Sequence, residues 1–477
     1  LNKHIKLNVY TVPGEAGISE SDIKLLPMNF PDQEKAFEDL ETLVTNFRYG
    51  SDLGSLIEFN DIDFENLKSG LNTENISIFD DDIRKMVCVG ELLQQKYDIA
   101  VTNPPYMGSS GFNSTLSSFA KKNYKNSKSD LFAMFIERWN HALNFDGYNS
   151  MVTMQSWMFL SSYEQLRNNI LNNHTIITMA HLGARAFSQI SGEVVQTTAW
   201  IIQKEHLSQY QPTFFRLIDG KNEEEKQKAL LNRENEFSAT AQDEFKKIPG
   251  SPVAYWTTDK ERECFENGTP FSDIAAIKQG MATSDNNRFI RLWNEVSIKN
   301  ITFECISLKE SEVRDEKWYP YIKGGGYRKW YGNHQYIVNW YKNGQELKEF
   351  QSTLNQGWNV RLKSREFYFK PSINWSFISS SYFGVRQSPN GFIFDVAGSS
   401  AFPKSGNLEY FTGFLCSKLA PDFMNAMNPT LNFQVENIAA LPIIEGHFLA
   451  NEDVVVNVVT KLIETVKEDW DYYERSW

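Results

Sequence analysis

The stretch Tyr97–Tyr106 (Tyr-Asp-Ile-Ala-Val-Thr-Asn-Pro-Pro-Tyr) constrains the fold more than any other part of this 477-residue chain. Its apolar run at 99–101 is typical of a parallel strand that is covered on both faces. Pro104 and Pro105 end the strand, because neither can donate a backbone N–H. Asn103 is therefore expected at the carboxyl end of a strand, where open α/β sheets bind their ligands.

The polar tip of this stretch suits one kind of chemistry. The exocyclic amine of a nucleobase is a poor nucleophile, because its lone pair is delocalised into the ring. If the Asn103 side chain and the Pro104 carbonyl accept hydrogen bonds from that amine, the lone pair of its nitrogen is freed. The ring of Tyr106 offers a face on which the base can stack. A base inside a duplex must be flipped out to reach such a site. The alternative is a plain strand followed by a Pro–Pro turn.

Helix and strand patterns alternate around this stretch, which predicts an α/β fold with a Rossmann-like, mainly parallel sheet. Ser129-Asp130 caps a predicted helix, and a strand is expected at 149–154. Two further β segments, 176–182 and 194–203, have no helix between them, so we expect a terminal antiparallel hairpin. The segment 107–128 is rich in Gly, Ser, Asn and Lys, and this composition favours a loop.

Composition limits the protein class. The four cysteines are scattered without a Cys-x-x-Cys pair, which favours a reducing cytoplasm and no structural metal. We see no apolar run near 18 residues, so no membrane segment is expected. The net charge of −12 argues against general coating of nucleic acid, although a local basic face remains compatible with it.

The Asn-Pro-Pro-Tyr motif at a strand end resembles the catalytic motif of the gamma-class N6-adenine DNA methyltransferases. Details such as Tyr106-Met107-Gly108 and the segment 151–158 are similar to the PglX methyltransferases of BREX phage-defence systems. The resemblance implies a site-specific enzyme that transfers a methyl group from S-adenosylmethionine to the amine of a flipped-out adenine. It implies double-stranded DNA and other phage-defence subunits as partners. The catalytic residues that it implies are Asn103, Pro104, Pro105 and Tyr106.

The resemblance also implies roles for two residues outside the motif. In the gamma class a phenylalanine of the hairpin loop stacks on the flipped base, and Phe187 lies at that place. The alternative for Phe187 is a loop aromatic packed on the sheet. The glycine-rich cofactor loop of the family is not found before Asn103, so we expect it upstream of Leu1. Asp52 is the candidate for the acidic residue near the cofactor adenine.

A second region combines basic and aromatic residues. Between residues 317 and 370 the sequence has ten Lys or Arg, three Glu and fourteen aromatic residues. This combination suits phosphate contact together with base or groove contact. The alternative is a β-rich domain with an aromatic core and solvated lysines. The candidate DNA-binding residues are Arg328, Lys329, Arg361, Lys363 and Arg365.

The sequence therefore predicts four segments and leaves three hypotheses for function. The segments are an N-terminally incomplete methyltransferase domain (1–205), a linker or excursion (206–255), a mixed α+β target-recognition domain (256–445) and a C-terminal helix (446–477). The first hypothesis is adenine methylation in bacterial phage defence. The others are a non-catalytic DNA-recognition or assembly module, and the methylation and recognition part of a fused type II restriction-modification enzyme.

Overall fold

The chain divides into two compact units, Leu1–Asp243 (unit 1) and Glu244–Trp477 (unit 2). The computed structural model describes residues 9–15, 18, 23, 30–71, 80–188, 195–354, 357–378, 382–430, 432–444, 451–473 and 476–477. Each unit has its own cluster of buried apolar side chains.

Unit 1 combines helices with one central sheet. Its described helices are α1 (Gln33–Phe47), α2 (Gly50–Leu53), α3 (Phe64–Leu71), α4 (Asp80–Gln94), α5 (Ser114–Asn123), α6 (Leu131–His141), α7 (Glu164–Asn173) and α8 (Glu223–Leu231). Its described strands are β1 (Tyr97–Thr102), β2 (Leu143–Met154), β3 (Thr175–Gly183), β4 (Thr197–Gln203), β5 (Thr213–Arg216) and β6 (Glu236–Phe237).

The sheet of unit 1 has six strands in the order β1-β2-β4-β3-β5-β6. The parallel pairs are β1 with β2 and β3 with β5, whereas β4 is antiparallel to both of its neighbours. Strands β1, β2, β3 and β5 consequently run in one direction, and their carboxyl ends lie at the same end of the sheet. The expected α/β fold and the antiparallel pairing of the last two segments, now β3 and β4, are confirmed.

Strand β1 differs from the expectation that both of its faces are covered. Ile99 is 65% exposed and Val101 is 75% exposed, whereas Ala100 is buried. The side chains of Ile99 and Val101 point to the face of the sheet opposite Ala100, and no described element covers them there. Among the described residues β1 is also an edge strand, because it pairs only with β2.

Two segments of unit 1 contain more regular structure than their composition indicates. The expected loop 107–128 contains helix α5, because the side chain of Asn113 accepts a hydrogen bond from the N–H of Leu116 and caps its first turn. The expected linker 206–255 contributes β5 and β6 to the sheet. The four segments drawn from the sequence, with their boundaries, stay predictions.

Buried polar contacts fix helix α6 against the sheet, against α4 and against the segment at Ile57. The amide of Asn149 on β2 donates a 2.8 Å hydrogen bond to Asn140 on α6. Arg138, also on α6, donates to the carbonyl of Leu93 at 2.7 Å and to the carbonyl of Ile57 at 3.2 Å. Because these groups are buried, unmade hydrogen bonds would be costly, and one packing of α6 is favoured.

Unit 2 is built from short strands and mostly short helices. Its described helices are α9 (Asp259–Asn267), α10 (Phe271–Ile274), α11 (Asn286–Phe289), α12 (Leu308–Val313), α13 (Tyr341–Ser352), α14 (Trp358–Arg361), α15 (Leu408–Cys416), α16 (Leu419–Met427), α17 (Val435–Ala439) and α18 (Glu452–Asp471). Its described strands are β7 (Thr269–Pro270), β8 (Ala275–Lys278), β9 (Ile290–Leu292), β10 (Trp318–Ile322), β11 (Tyr336–Asn339), β12 (Ser372–Trp375), β13 (Val385–Ser388), β14 (Ile393–Phe394), β15 (Ser400–Pro403) and β16 (Pro442–Ile443).

Two four-stranded sheets and one strand pair organise unit 2 as a mixed α+β fold. Their orders are β14-β10-β11-β9, β13-β12-β15-β8 and β16-β7. The C-terminal helix α18 packs on α15 at Gly413, where an added Cβ would lie 2.9 Å from Val455. In the described part of the chain, no helix is long and apolar enough to cross a membrane, and no His, Cys, Asp and Glu cluster is suited to a metal ion.

Candidate active site

The end of β1 presents Asn103 at the carboxyl edge of the sheet. Thr102, the last residue of β1, lies opposite Met151 of β2, and the chain then leaves the ladder at the two prolines. Pro104 is buried and Pro105 is exposed, while the side chain of Asn103 is exposed. The strand therefore holds an exposed amide at the end of the sheet where α/β folds bind ligands.

Tyr106 is held beside Asn103 by contacts with two neighbouring elements. Its hydroxyl donates to the carbonyl of Val152 on β2 at 3.1 Å and lies 3.3 Å from Oδ1 of Asn103. Its ring meets Phe132 of α6 edge to face, with centroids 6.2 Å apart. Burial raises the pKa of Tyr106 to about 12, so the hydroxyl keeps its proton and acts as a donor at neutral pH.

Asp130 fixes the backbone that follows Tyr106. Its Oδ1 accepts hydrogen bonds from the N–H of Met107 at 3.1 Å and from the N–H of Phe132 at 3.3 Å. Burial raises the pKa of this carboxyl, while the backbone donors act in the opposite direction. The sequence identified Asp130 as a helix cap, but its second contact, with the motif, depends on the fold.

Phe187 lies at the same edge of the sheet as Asn103. It follows β3, whose carboxyl end shares an edge with the carboxyl ends of β1 and β2. Its side chain is half-buried in the turn after Gly183. A role in stacking on a base stays a prediction for this residue.

A network of three polar side chains at this edge was not expected from the sequence. Nε2 of His181 lies 2.7 Å from Oε1 of Gln155, and Nε2 of Gln155 donates to Oε1 of Gln196 at 2.5 Å. Burial, and then Arg216 and Lys226, lower the pKa of His181 to about 3, so the imidazole is neutral. The network ties the end of β2 to the β3–β4 hairpin. The three residues are too far apart in sequence for a motif to reveal them.

The candidate cofactor residue Asp52 contacts the segment that follows the motif. Oδ1 of Asp52 accepts a 2.9 Å hydrogen bond from the side chain of Asn113, and both groups are exposed. Asp52 lies in the short helix α2. A cofactor of this kind is usually cradled by a strand, a glycine-rich turn and a helix. The described residues of unit 1 do not provide that unit together with Asp52, so by themselves they do not fit S-adenosylmethionine.

Two of the five candidate DNA-binding residues contact helices α15 and α18 of their own unit. Arg328 pairs with Asp469 and lies over the rings of Trp470 and Tyr473, with centroid distances of 5.1 and 5.2 Å. Nζ of Lys329 donates to the carbonyl of Cys416 at 2.7 Å. Both cations therefore help to hold α15 and α18 in unit 2.

The other three candidates lie together around α14. Arg361 and Lys363 are exposed, and Lys363 donates to Oε1 of Gln279 at 2.9 Å. The guanidinium of Arg365 lies 4.4 Å from the ring centroid of Trp358, and Nζ of Lys348 lies 5.6 Å from the same ring. These residues form a basic and aromatic surface, and its contact with DNA stays a prediction.

The sequence is similar to known methyltransferases over nearly its whole length. Residues 24–187 match the family described as Eco57I restriction-modification methylase. Over 444 residues, 90% of this chain, it is 42% identical to the adenine-specific methyltransferase BrxX of Escherichia coli O9:H4 (strain HS). Over 462 residues, 92% of this chain, it is 38% identical to the adenine-specific methyltransferase PglX of Lacticaseibacillus casei (strain Zhang). The chain is therefore similar in sequence to adenine-specific methyltransferases.

The similarity covers only part of these relatives. This chain corresponds to 35% of the BrxX sequence and 38% of the PglX sequence. Among solved structures, the type IIL restriction-modification enzyme MmeI in complex with DNA has a TM-score of 0.52 and 12% identity. That match covers 87% of this chain and 55% of the MmeI chain. At this identity the match shows a shared fold.

Proposed function

We propose that this chain is the methyl-acceptor and DNA-recognition part of a site-specific adenine DNA methyltransferase that acts in phage defence. The observation that carries the proposal is the pair at the end of β1, where the exposed amide of Asn103 lies beside a Tyr106 ring tethered to β2. The similarity to BrxX and PglX supports the same chemistry.

In the proposed mechanism, unit 1 binds an adenine that has been flipped out of the duplex. Oδ1 of Asn103 and the carbonyl of Pro104 accept the two hydrogens of the exocyclic amine, which frees the nitrogen lone pair. Tyr106 and Phe187 stack on the base and hold it. The hydroxyl of Tyr106 already donates a hydrogen bond to the carbonyl of Val152, which restricts the ring. The ring therefore loses little conformational entropy when the base binds.

S-adenosylmethionine is the proposed methyl donor of the whole protein. Strand β1 has an unpaired edge among the described residues, and its apolar side chains Ile99 and Val101 are exposed. Both features support the proposal that the cofactor-binding part lies against β1. An apolar edge strand of a parallel sheet is normally covered by further structure. We propose that the strands of the cofactor-binding part pair with β1, and that Asp52 contributes from this chain.

Unit 2 is the proposed DNA-recognition part. The exposed side chains of Arg361 and Lys363, together with Arg365 on Trp358, supply charge and aromatic surface in an otherwise acidic protein. Double-stranded DNA is the proposed partner, and other phage-defence subunits are further proposed partners in the cytoplasm.

Methylation by the whole protein tests this proposal. We expect it to form N6-methyladenine in DNA, and we expect Asn103→Ala to lower turnover by about a hundredfold or more, the range for losing one essential polar contact in a transition state. DNA affinity should stay within about tenfold. The control is Asn144→Ala, an exposed asparagine at the amino end of β2. Near-normal turnover of Asn103→Ala would refute the assignment.

A further inference from the structure

The segment that contains and follows the motif carries positive charge only. Residues 99–129 include no Asp or Glu, in a chain whose net charge is −12. They include four exposed lysines, which are Lys121, Lys122, Lys125 and Lys128. Within the part of the chain that the structure describes, none of these four side chains makes an ion pair or a hydrogen bond. The segment therefore presents unneutralised positive charge in an acidic protein.

Other lysines of unit 1 stabilise the fold itself. Lys35 and Lys68 pair with carboxylates. Three more donate to backbone carbonyls, namely Lys96, Lys204 and Lys226. The lysines of 121–128 make no contact of this kind, so the folding of unit 1 does not account for their clustering.

Lys125 and Lys128 are the two that local structure explains least. Lys121 and Lys122 lie in the last turn of α5, where the helix dipole favours cations. Lys125 and Lys128 lie beyond the end of that helix. Like charges that lie close together repel each other, and a bound anion removes this repulsion. The cluster therefore fits an anionic partner.

Buried neighbours fix the turn that carries Lys125 and Lys128. The hydroxyl of the buried Tyr124 donates to a backbone carbonyl after α2 at 2.9 Å. Ser127, also buried, donates from its hydroxyl to Glu137 on α6 and from its N–H to the carbonyl of Tyr124 at 3.1 Å. The two lysines lie next to these anchored positions, so their backbone has little freedom to lose when a partner binds.

The two ends of the segment are joined directly after the motif. The N–H of Ser109 donates to the carbonyl of Ser129 at 2.9 Å, and the N–H of Leu131 donates to the carbonyl of Met107 at 3.1 Å. Lys128 precedes Ser129, so it lies one residue from this junction. The turn 124–129 therefore ends beside the motif, at the end of the sheet where the proposed site lies.

This position matches the backbone of a flipped nucleotide. Such a nucleotide rotates about its own backbone, so its flanking phosphates stay near the site that receives the base. A lysine binds phosphate as a point charge on a flexible stem. We propose that Lys125 and Lys128 bind the phosphates next to the flipped adenine, so that unit 1 contributes its own share of the DNA affinity. This inference rests on the proposed function for the position of the DNA.

The salt dependence of DNA binding by the whole protein tests this surface. Lys125→Gln with Lys128→Gln should flatten the slope of log affinity against log salt by up to about 1.8 units, 0.9 for each phosphate contact. The effect should appear on every duplex sequence. Lys125→Arg with Lys128→Arg keeps both charges and should keep the slope. The melting temperatures of these variants should equal that of the wild type, because both side chains are exposed.

Lys85→Gln with Lys228→Gln is the matched control, because it removes the same charge from two exposed lysines of unit 1. Each of these lysines has acidic residues three and four positions before it on its helix, so neither lies in a purely basic segment. The control should keep the wild-type slope. If both Gln pairs flatten the slope equally, net charge and not contact sets it, and the proposal is wrong. An unchanged slope for the Lys125 and Lys128 pair would refute it too.

Neutral methylphosphonates in the DNA locate the contact. In a duplex with the adenine that the whole protein methylates, replacing the phosphates on both sides of that adenine should weaken binding by the wild type. The loss should be much smaller for Lys125→Gln with Lys128→Gln, because that contact is already absent. Equal losses would contradict a contact next to the adenine. If the whole protein methylates no adenine, the proposed function fails, whereas a flattened salt slope would still show that these lysines bind DNA.

Discussion

The hydroxyl of Tyr106 donates to the carbonyl of Val152 at 3.1 Å, so the strand next to the motif fixes the orientation of the ring. Residues 46 positions apart in sequence thus set the geometry of the candidate site together. The consequence is that the ring and the hydroxyl of Tyr106 have separable roles.

Two substitutions at Tyr106 separate these roles. Tyr106→Phe removes the tether and keeps the ring, so we expect a loss of about 0.5–1.5 kcal/mol in unfolding free energy and a modest loss of turnover. Tyr106→Ala also removes the stacking surface and should weaken binding of the extruded base by about 1–3 kcal/mol. Fluorescence of 2-aminopurine at the target position measures the second effect. Equal effects of both variants on extrusion would contradict a stacking role.

Phe187, which lies in the turn after β3, should help Tyr106 to hold the same base. We expect Phe187→Ala to reduce the 2-aminopurine signal and turnover, by up to about 1–3 kcal/mol in base binding. Phe187→Trp, which keeps an aromatic face, is the matched control and should retain most of the signal. If Phe187→Ala extrudes and methylates the base normally, the ring packs on the sheet and has no role in binding.

The basic residues around α14 should supply the salt-dependent affinity for DNA. Arg361→Gln combined with Lys363→Gln should weaken binding to all duplex sequences and flatten the salt slope by up to about 1.8 units, 0.9 for each phosphate contact. Fluorescence anisotropy over a salt series measures this slope. Lys299→Gln with Lys309→Gln, two exposed lysines elsewhere in unit 2, is the control. An unchanged slope would mean that this surface faces away from DNA.

Arg328 should behave differently from Arg361, because it is already engaged with Asp469 and Trp470. Arg328→Gln should lower the unfolding free energy by about 1 kcal/mol, the combined scale of one exposed ion pair and one cation–π contact. Chemical denaturation measures this loss. A flattened salt slope with unchanged stability would instead show that Arg328 leaves these contacts to bind phosphate.

The exposed edge of β1 should matter for the cofactor and little for the folding of unit 1. Ile99→Lys with Val101→Lys should change the unfolding free energy of this chain by no more than about 0.5 kcal/mol, because both side chains are exposed. In the whole protein the same pair should lower S-adenosylmethionine affinity at least about tenfold in calorimetry. Ile298→Lys, at a 61% exposed isoleucine of unit 2, is the control. Normal cofactor affinity of the double variant would refute the proposal that the cofactor-binding part covers this face of β1.

The neutral His181 predicts a loss of stability in acid. Burial, and then Arg216 and Lys226, lower its pKa in the folded state to about 3, so between about pH 6.5 and that value the unfolded chain binds a proton that the folded chain does not. The stability from His181 is present above about pH 6.5 and is lost as the pH falls. His181→Asn should reduce the pH slope of the unfolding free energy by up to about 1.4 kcal/mol per unit. An unchanged slope would contradict a buried neutral imidazole.

The sequence by itself determined those structural features that depend only on residues close together in the chain. Local apolar patterns and turn chemistry predict the strand before Asn103, the Pro–Pro stop, the Asp130 cap and the β3–β4 pairing. The loop expected at 107–128 from its composition contains a helix instead. Asn113 caps this helix, although the segment is rich in loop-forming residues.

Only the tertiary structure decided which residues meet across long separations. It inserted β4 between β2 and β3, left Ile99 exposed on an edge strand, and paired Arg328 with Asp469, 141 positions away. It also left Arg386 buried without a carboxylate partner among the described residues. The physical reason is that burial and charge pairing are set by the packing of many segments at once, and no local pattern encodes that packing.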